Sequence, residues 1–379
     1  MSAVNTVNEA NPISAMNPIP ASAHFSQSYK EARQRFMRAA DAAGLDVVSH
    51  IHPMLGRDGE TLAMDVVFQG PRDAESLLIV SSACHGVEGF CGSAVQAMLL
   101  GDTTWCNAVR EARIAVLYIH ALNPYGFSWW RRTTHENVDL NRNFHDFSQP
   151  LPINAGYDEI ASLLVPPTWP PSPEIESRLQ GFLVERGMAA MQAAVSGGQY
   201  AHPEGIFYGG RNPTWSHVTL RHVLRDHGQR CRQLGWIDLH TGLGPLGVGE
   251  RILACRDNPV ALRRARAWWG NSVTSINEGS SSSAPLQGLM WLATEDECPQ
   301  ATFTGIALEY GTVPLLAMFE ALRADQWLEL HPEADAALQA QLKQQTRDAF
   351  YVDTDDWKHQ VIAQAKDAAH GALRGLSSD

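Results

Sequence analysis

His85 and Glu88 stand three residues apart in the run Cys84-His85-Gly86-Val87-Glu88-Gly89, and His240 sits much later in Asp238-Leu239-His240-Thr241-Gly242. Two imidazoles, one carboxylate and an open coordination position form the donor set of a catalytic zinc site. Zinc held this way brings the pKa of its water toward ~7, so hydroxide is available near neutrality. By itself His-x-x-Glu is a weak signal, because a core histidine followed by a helix-capping glutamate has the same spelling. The rest of the chain supplies further groups that such chemistry needs. The run HALNPYGFSWWRRTTHENVDLNRNF, from His120 to Phe144, carries the guanidinium groups of Arg131, Arg132 and Arg142, and Glu309-Tyr310-Gly311-Thr312 adds a late carboxylate. A carboxylate near the attacking water can take its proton and return it to a leaving amine. A fixed cation can stabilise a tetrahedral oxyanion, a donor whose loss typically costs about 2.7–4 kcal/mol. A guanidinium fork can also grip a carboxylate in a geometry that lysine lacks.

These groups must be held by regular elements. Four short apolar, β-branched runs at 77–82 (LLIVSS), 114–119 (IAVLYI), 236–239 (WIDL) and 304–308 (TGIAL) read as strands covered on both faces. Each is followed by one of the polar clusters, at the strand edge where open α/β sheets bind ligands. Two further strands are expected at 47–52 and 61–68, and another over GERILAC at 249–255. Helical patterns lie between them at 27–43, 92–100, 173–194, 214–234, 259–278 and 314–330. The expectation is one α/β unit with a mixed, largely parallel sheet sandwiched by helices. Residues 1–23 read as a loose arm, 24–331 as the catalytic domain, and 332–379 as a helical tail packed on it. Gly242-Leu-Gly244-Pro-Leu-Gly247 spells GxGxxG, but Pro245 interrupts the helix a dinucleotide site would open.

Composition narrows the partners. The chain of 379 residues carries 29 Lys+Arg against 41 Asp+Glu, a formal charge of −12. That balance opposes a nucleic-acid or anionic membrane partner. The start of the chain has no basic, apolar leader pattern, and the six cysteines are scattered without a CxxC. Reduced thiols and a cytoplasmic setting are expected, with the oligomeric state left open.

In order, HGVEG, NPYGF, WWRRT, VDLNRNF, DLHTG and EYGT resemble the motifs of the zinc carboxypeptidase family, over roughly residues 77–312. Residues 146–232 match no motif. The DLHTG spelling is also similar to the aspartoacylase and succinylglutamate desuccinylase branch, and the whole is similar to bacterial carboxypeptidase-like proteins of unassigned substrate. The resemblance implies a carboxypeptidase-like fold and one Zn²⁺ per chain, held by His85, Glu88 and His240. It implies that Asp139 orients a ligand imidazole, that Asn141 and Arg142 hold a substrate carboxylate, and that Glu309 is the general base. Arg131 or Arg132 would face the oxyanion. The family's mobile tyrosine would be Tyr200, Tyr208 or Tyr310, and His120, at the same sheet edge, is a further substrate-facing candidate.

The implied reaction is cleavage of an amide (peptide) bond beside a free carboxylate, with Glu-assisted attack of zinc-bound water on a small peptide. The alternative within that chemistry is an N-acyl amino acid deacylase. The alternative outside it is a carboxylate-binding protein without catalysis.

Overall fold

The computed structural model describes residues 19–378, so most of the expected N-terminal arm lies outside the described residues. Eight strands form one sheet: β1 (Val47–Leu55), β2 (Thr61–Gln69), β3 (Ser76–Ser82), β4 (Ala115–His120), β5 (Gln233–Leu246), β6 (Gly249–Leu253), β7 (Val273–Thr274) and β8 (Thr302–Gly311). Their order is β1-β2-β4-β3-β5-β8-β6-β7. The inner strands β4, β3, β5 and β8 run parallel, whereas β1, β2 and β6 join antiparallel to their inner neighbours. Every residue of β4 is buried, as expected for a central strand with helices on both faces. Edge strand β1 is mostly exposed.

Local chemistry sets the helix boundaries. Ser28, Asp102, Ser172, Thr214 and Asn258 each cap a helix by accepting a first-turn backbone N–H. Pro173 and Pro259 open their helices, where a missing N–H costs nothing. Two helices end earlier than the apolar periodicity implies. Trp215–Gly228 stops before β5 begins, and Pro259–Trp269 stops at Gly270, whose φ of 88° leaves the helical region. Helix Pro173–Ser196 breaks internally at Gly187, with φ 81°.

The tail is more deeply embedded than an outer appendage. Helix Asp355–Ser378 buries Trp357, Val361, Ala365, Ala368 and Ala372 in the principal core, against β5, β3 and helix Pro259–Trp269. The unmatched stretch also has a structural use. Helices Ala155–Leu164 and Pro173–Ser196 pack with Leu315–Leu330 in a separate apolar cluster built on Tyr157, Ile160, Leu179, Met191 and Leu322. No helix among the described residues is long and apolar enough to cross a membrane.

Candidate functional site

His85 and Glu88 lie on the connection from β3 into helix Gly89–Gly101, and Glu88 belongs to the short 3-10 turn Gly86–Glu88. That connection docks on the segment after helix Pro124–Trp129. The Gly86 N–H donates to the Arg132 carbonyl at 3.1 Å, and the Val87 N–H donates to the Arg131 carbonyl at 2.8 Å. A Cβ on Gly86 would stand 2.1 Å from the Gly126 carbonyl carbon, so only glycine permits the contact. HGVEG and NPYGF thus hold each other, and Arg132 is delivered to the same place as His85.

His240 and Glu309 come from within strands. β5 continues past residue 239, and His240 is the register partner of Glu309 on β8. The WIDL pattern ends too early because His240, Thr241 and Gly242 break the apolar run while the strand continues. Strand register, not loop conformation, sets the spacing of these two side chains.

Glu88 is the hub. Its Oε1 lies 2.9 Å from His85 Nδ1 and its Oε2 lies 2.9 Å from His240 Nδ1. Donor atoms of the three residues lie within 4.8 Å of one another, and all three residues are buried. The far side of each imidazole meets an aspartate. His85 Nε2 is 3.3 Å from Asp139 Oδ1, and His240 Nε2 is 2.6 Å from Asp238 Oδ2. An aspartate behind each ring orients it with Nδ1 facing inward, toward Glu88. Two such nitrogens and one carboxylate fit a divalent metal of the zinc type. Asp238 is itself anchored, accepting from Ser81 Oγ at 2.5 Å, and Ser81 accepts from Trp236 Nε1 at 2.7 Å. Asp238 was not singled out from the sequence. The signal was present, since Asp-x-His on a strand puts both side chains on one face.

Electrostatics follow from burial and charge together. Burial alone would raise the Glu88 carboxyl, but His85 and His240 outweigh it and hold it well below the ordinary range. Burial likewise opposes the Asp139 charge, and Arg132 and Arg142 more than compensate. Glu309 goes the other way. Burial and the neighbouring Glu88 push its carboxyl up to about 7, although the backbone N–H of Leu243 donates to Oε1 at 2.9 Å. A carboxyl poised there can both accept and return a proton near neutrality.

A cavity of about 490 Å³ opens on this cluster, and His85, Glu88, Arg132, Asn141, Arg142, His240 and Glu309 all line it. Arg132 donates to Asp139 Oδ2 at 3.0 Å and to Glu88 Oε1 at 3.1 Å, and its Nη2 lies 2.8 Å from His85 Nε2. Arg142 is pinned by the Ser196 carbonyl, to which Nη2 donates at 2.6 Å and Nε at 3.1 Å. Asn141 faces the cavity with its Oδ1 accepting from the Met290 N–H at 2.9 Å. Asp139 accepts from the Asn141 N–H at 3.0 Å, which ties the NRN turn to His85.

Three expected substrate-facing residues are placed elsewhere. Arg131 is 1 % exposed and turned away from the cavity, paired with Asp325 at 3.1 Å and Glu329 at 3.1 Å. Trp130, in a left-handed conformation, ends the preceding helix just before this pair. His120 is fully buried, 2.9 Å from Ser93 Oγ and stacked on Phe36 at 4.6 Å. Burial lowers its pKa to about 4, so it is a neutral core imidazole. Tyr310 points into the core beneath the C-terminal helix and donates to the Val361 carbonyl at 3.1 Å. Its neighbour Glu309 takes the opposite face of β8, as strand alternation requires. Tyr200 and Tyr208 are also buried and do not line the cavity; Tyr200 donates to the Arg142 carbonyl at 2.8 Å.

Comparison with known proteins places the chain in context. The family described as "Protein of unknown function (DUF2817)" matches residues 25–364. A search of curated proteins finds no match. Among solved structures, carboxypeptidase A from Helicoverpa armigera superposes at TM-score 0.50 with 14% identity, covering 96% of this chain and 77% of that one. A metallo-carboxypeptidase from Burkholderia cenocepacia gives TM-score 0.39 at 11% identity, covering 88% of this chain and 71% of that one. Thrombin activatable fibrinolysis inhibitor gives 0.43 at 12% identity, covering 83% and 79%. The chain therefore belongs to the DUF2817 family of proteins of unknown function, and its mixed α/β fold is carboxypeptidase-like.

Proposed function

We propose that this protein is a metal-dependent hydrolase, with zinc the ion that best suits its donors, cleaving an amide bond next to a free carboxylate. One observation carries the reading: two imidazole Nδ1 atoms face the two oxygens of one glutamate, each ring being held from behind by its own aspartate. His85, Glu88 and His240 would hold the ion, which supplies Lewis acidity when bound. The remaining roles belong to the chain's own side chains. Glu309 takes a proton from the attacking water and passes it to the leaving amine nitrogen. The new C–O bond forms first, and the C–N bond breaks once the amine nitrogen has received the proton. Arg132, the cation that lines the cavity beside the metal ligands, stabilises the oxyanion between these events. Arg142 and Asn141 receive the substrate carboxylate; Arg142 is already immobilised by backbone carbonyls, so little freedom is lost on binding.

The test is elemental and kinetic together. Protein purified without chelator should carry about one zinc per chain by plasma emission, and His85→Ala and His240→Ala should carry almost none. Full metal content in either variant removes the ligand assignment. Glu309→Gln should keep its metal and lose turnover against a panel of peptides and N-acyl amino acids.

A further inference from the structure

Beyond the metal ligands, the cavity is a hydrocarbon-like chamber. Helix Pro173–Ser196 contributes Leu179, Leu183 and Met191, and helix Leu315–Leu330 contributes Leu315, Met318 and Phe319. Several polar side chains in its wall are engaged by the protein, and Gln180 and Glu320 in the lining are exposed. Thr241 Oγ1 donates to the Phe350 carbonyl at 2.7 Å, and Gln192 Nε2 donates to the Ser282 carbonyl at 3.1 Å. Arg323 directs its guanidinium at the Leu163 and Leu164 carbonyls and at Glu176. At the metal end Arg132, Arg142 and Glu309 line the cavity together. The rim continues the apolar lining outward, with Met188 51 % and Leu316 66 % exposed.

A peptide threaded through this chamber would lose water from successive amides and find few partners, a cost of roughly 1–3 kcal/mol for each unsatisfied group. An alkyl chain carries no such groups. At about 30 Å³ per water, 490 Å³ is room for roughly sixteen waters. A methylene is of similar size, so a chain of about ten carbons fits with space left for an amino acid head. Thioethers at Met188, Met191 and Met318 adapt to such a flexible guest.

We propose that the substrate is an N-acyl amino acid with a medium-length to long saturated acyl chain, lodged between these two helices with its carboxylate at Arg142. Water adds to the acyl carbon and the C–N bond then breaks, with the proton passing to the amine nitrogen, releasing a fatty acid and an amino acid. The proposal deepens the hydrolase reading and rests on it for the chemistry, while chain binding can be measured apart from turnover.

The experiment is calorimetric titration of zinc-loaded Glu309→Gln protein with N-acetyl-, N-hexanoyl- and N-decanoylglycine, and with the tripeptide Gly-Gly-Phe. Affinity should rise about fourfold per methylene, or about 250-fold over the four methylenes from hexanoyl to decanoyl. A flat series overturns the proposal, and so does tighter binding of the tripeptide than of decanoylglycine. Met191→Trp, which fills part of the chamber, should make the gain level off at a shorter chain, and an unmoved break point counts against it. Should that variant fail to fold, the series on the unaltered wall still decides. Chain-length dependence without hydrolysis by the native enzyme would refute the hydrolase reading and leave the chamber's preference standing.

Discussion

Asp238→Asn tests whether the buried aspartates set the metal site. Asp238 Oδ2 lies 2.6 Å from His240 Nε2, and its other oxygen is held by Ser81. Asparagine keeps the shape and removes the charge that orients the ring and raises its donor strength. Loss of a partner behind a ligating histidine typically weakens metal binding 10–100-fold, or about 1.4–2.7 kcal/mol. Asp238 is 1 % exposed and sits behind His240, so water cannot replace it, and the upper half of that range is expected. Zinc affinity is read by competition with a chelator of known strength, and the melting of the metal-free variant is followed in parallel. A zinc affinity within twofold of the parent, with the fold intact, would refute the reasoning. Weakening accompanied by collapse of the metal-free fold would show that Asp238 serves packing instead.

Other outcomes are as definite. Glu309→Gln should lower kcat by about 10²–10⁴-fold, the usual contribution of a general base, while its zinc content stays at the parent level in elemental analysis. Arg142→Ala should raise KM for substrates with a free carboxylate far more than for the corresponding esters or primary amides. Equal losses across both sets would place the anchor elsewhere. Asp325→Ala should destabilise the fold by about 3 kcal/mol in urea titrations, because it takes the buried carboxylate from Arg131 and leaves that guanidinium only the partly exposed Glu329 as an anionic partner. The same carboxylate gives a pH signature. Burial raises its pKa, but Lys343 and Arg131 outweigh that and hold it below the ordinary value. Its contribution is therefore complete above pH ~4 and is lost as pH falls through the depressed folded value. Stability in the parent should drop over that acid range more steeply than in Asp325→Asn, and parallel curves would contradict the assignment.

How much of this was legible in the sequence depends on the kind of signal. The buried strands were readable because short continuous runs of Leu, Ile and Val suit little but a strand covered on both faces, and the strand after them in GERILAC appears as β6. The motif residues His85, Glu88, Arg132, Asn141, Arg142, His240 and Glu309 are brought to one cavity. Spacing alone did not separate Arg131 from Arg132, because the carboxylates that each one meets, Asp325 and Glu329 for Arg131 and Glu88 and Asp139 for Arg132, lie on other segments of the chain. His120 ends a strand at the same edge, yet it faces the helix layer, where Phe36 and Ser93 enclose it. A one-residue difference in strand parity separates such a core histidine from a ligand. The apolar chamber was invisible for another reason: its walls come from helices far apart in the chain, one of them in the motif-free stretch, and only the fold makes them neighbours.

The placement of helix Asp355–Ser378 bears on how this protein is made. Trp357 donates to the Gly311 carbonyl at 3.0 Å and Val361 receives the Tyr310 hydroxyl, so this helix clasps the end of the strand that carries Glu309. Synthesis is vectorial, and those residues leave the ribosome after Glu309 does. The nascent polypeptide therefore carries Glu309 on an unsecured strand until helix Asp355–Ser378 has been synthesised and has docked.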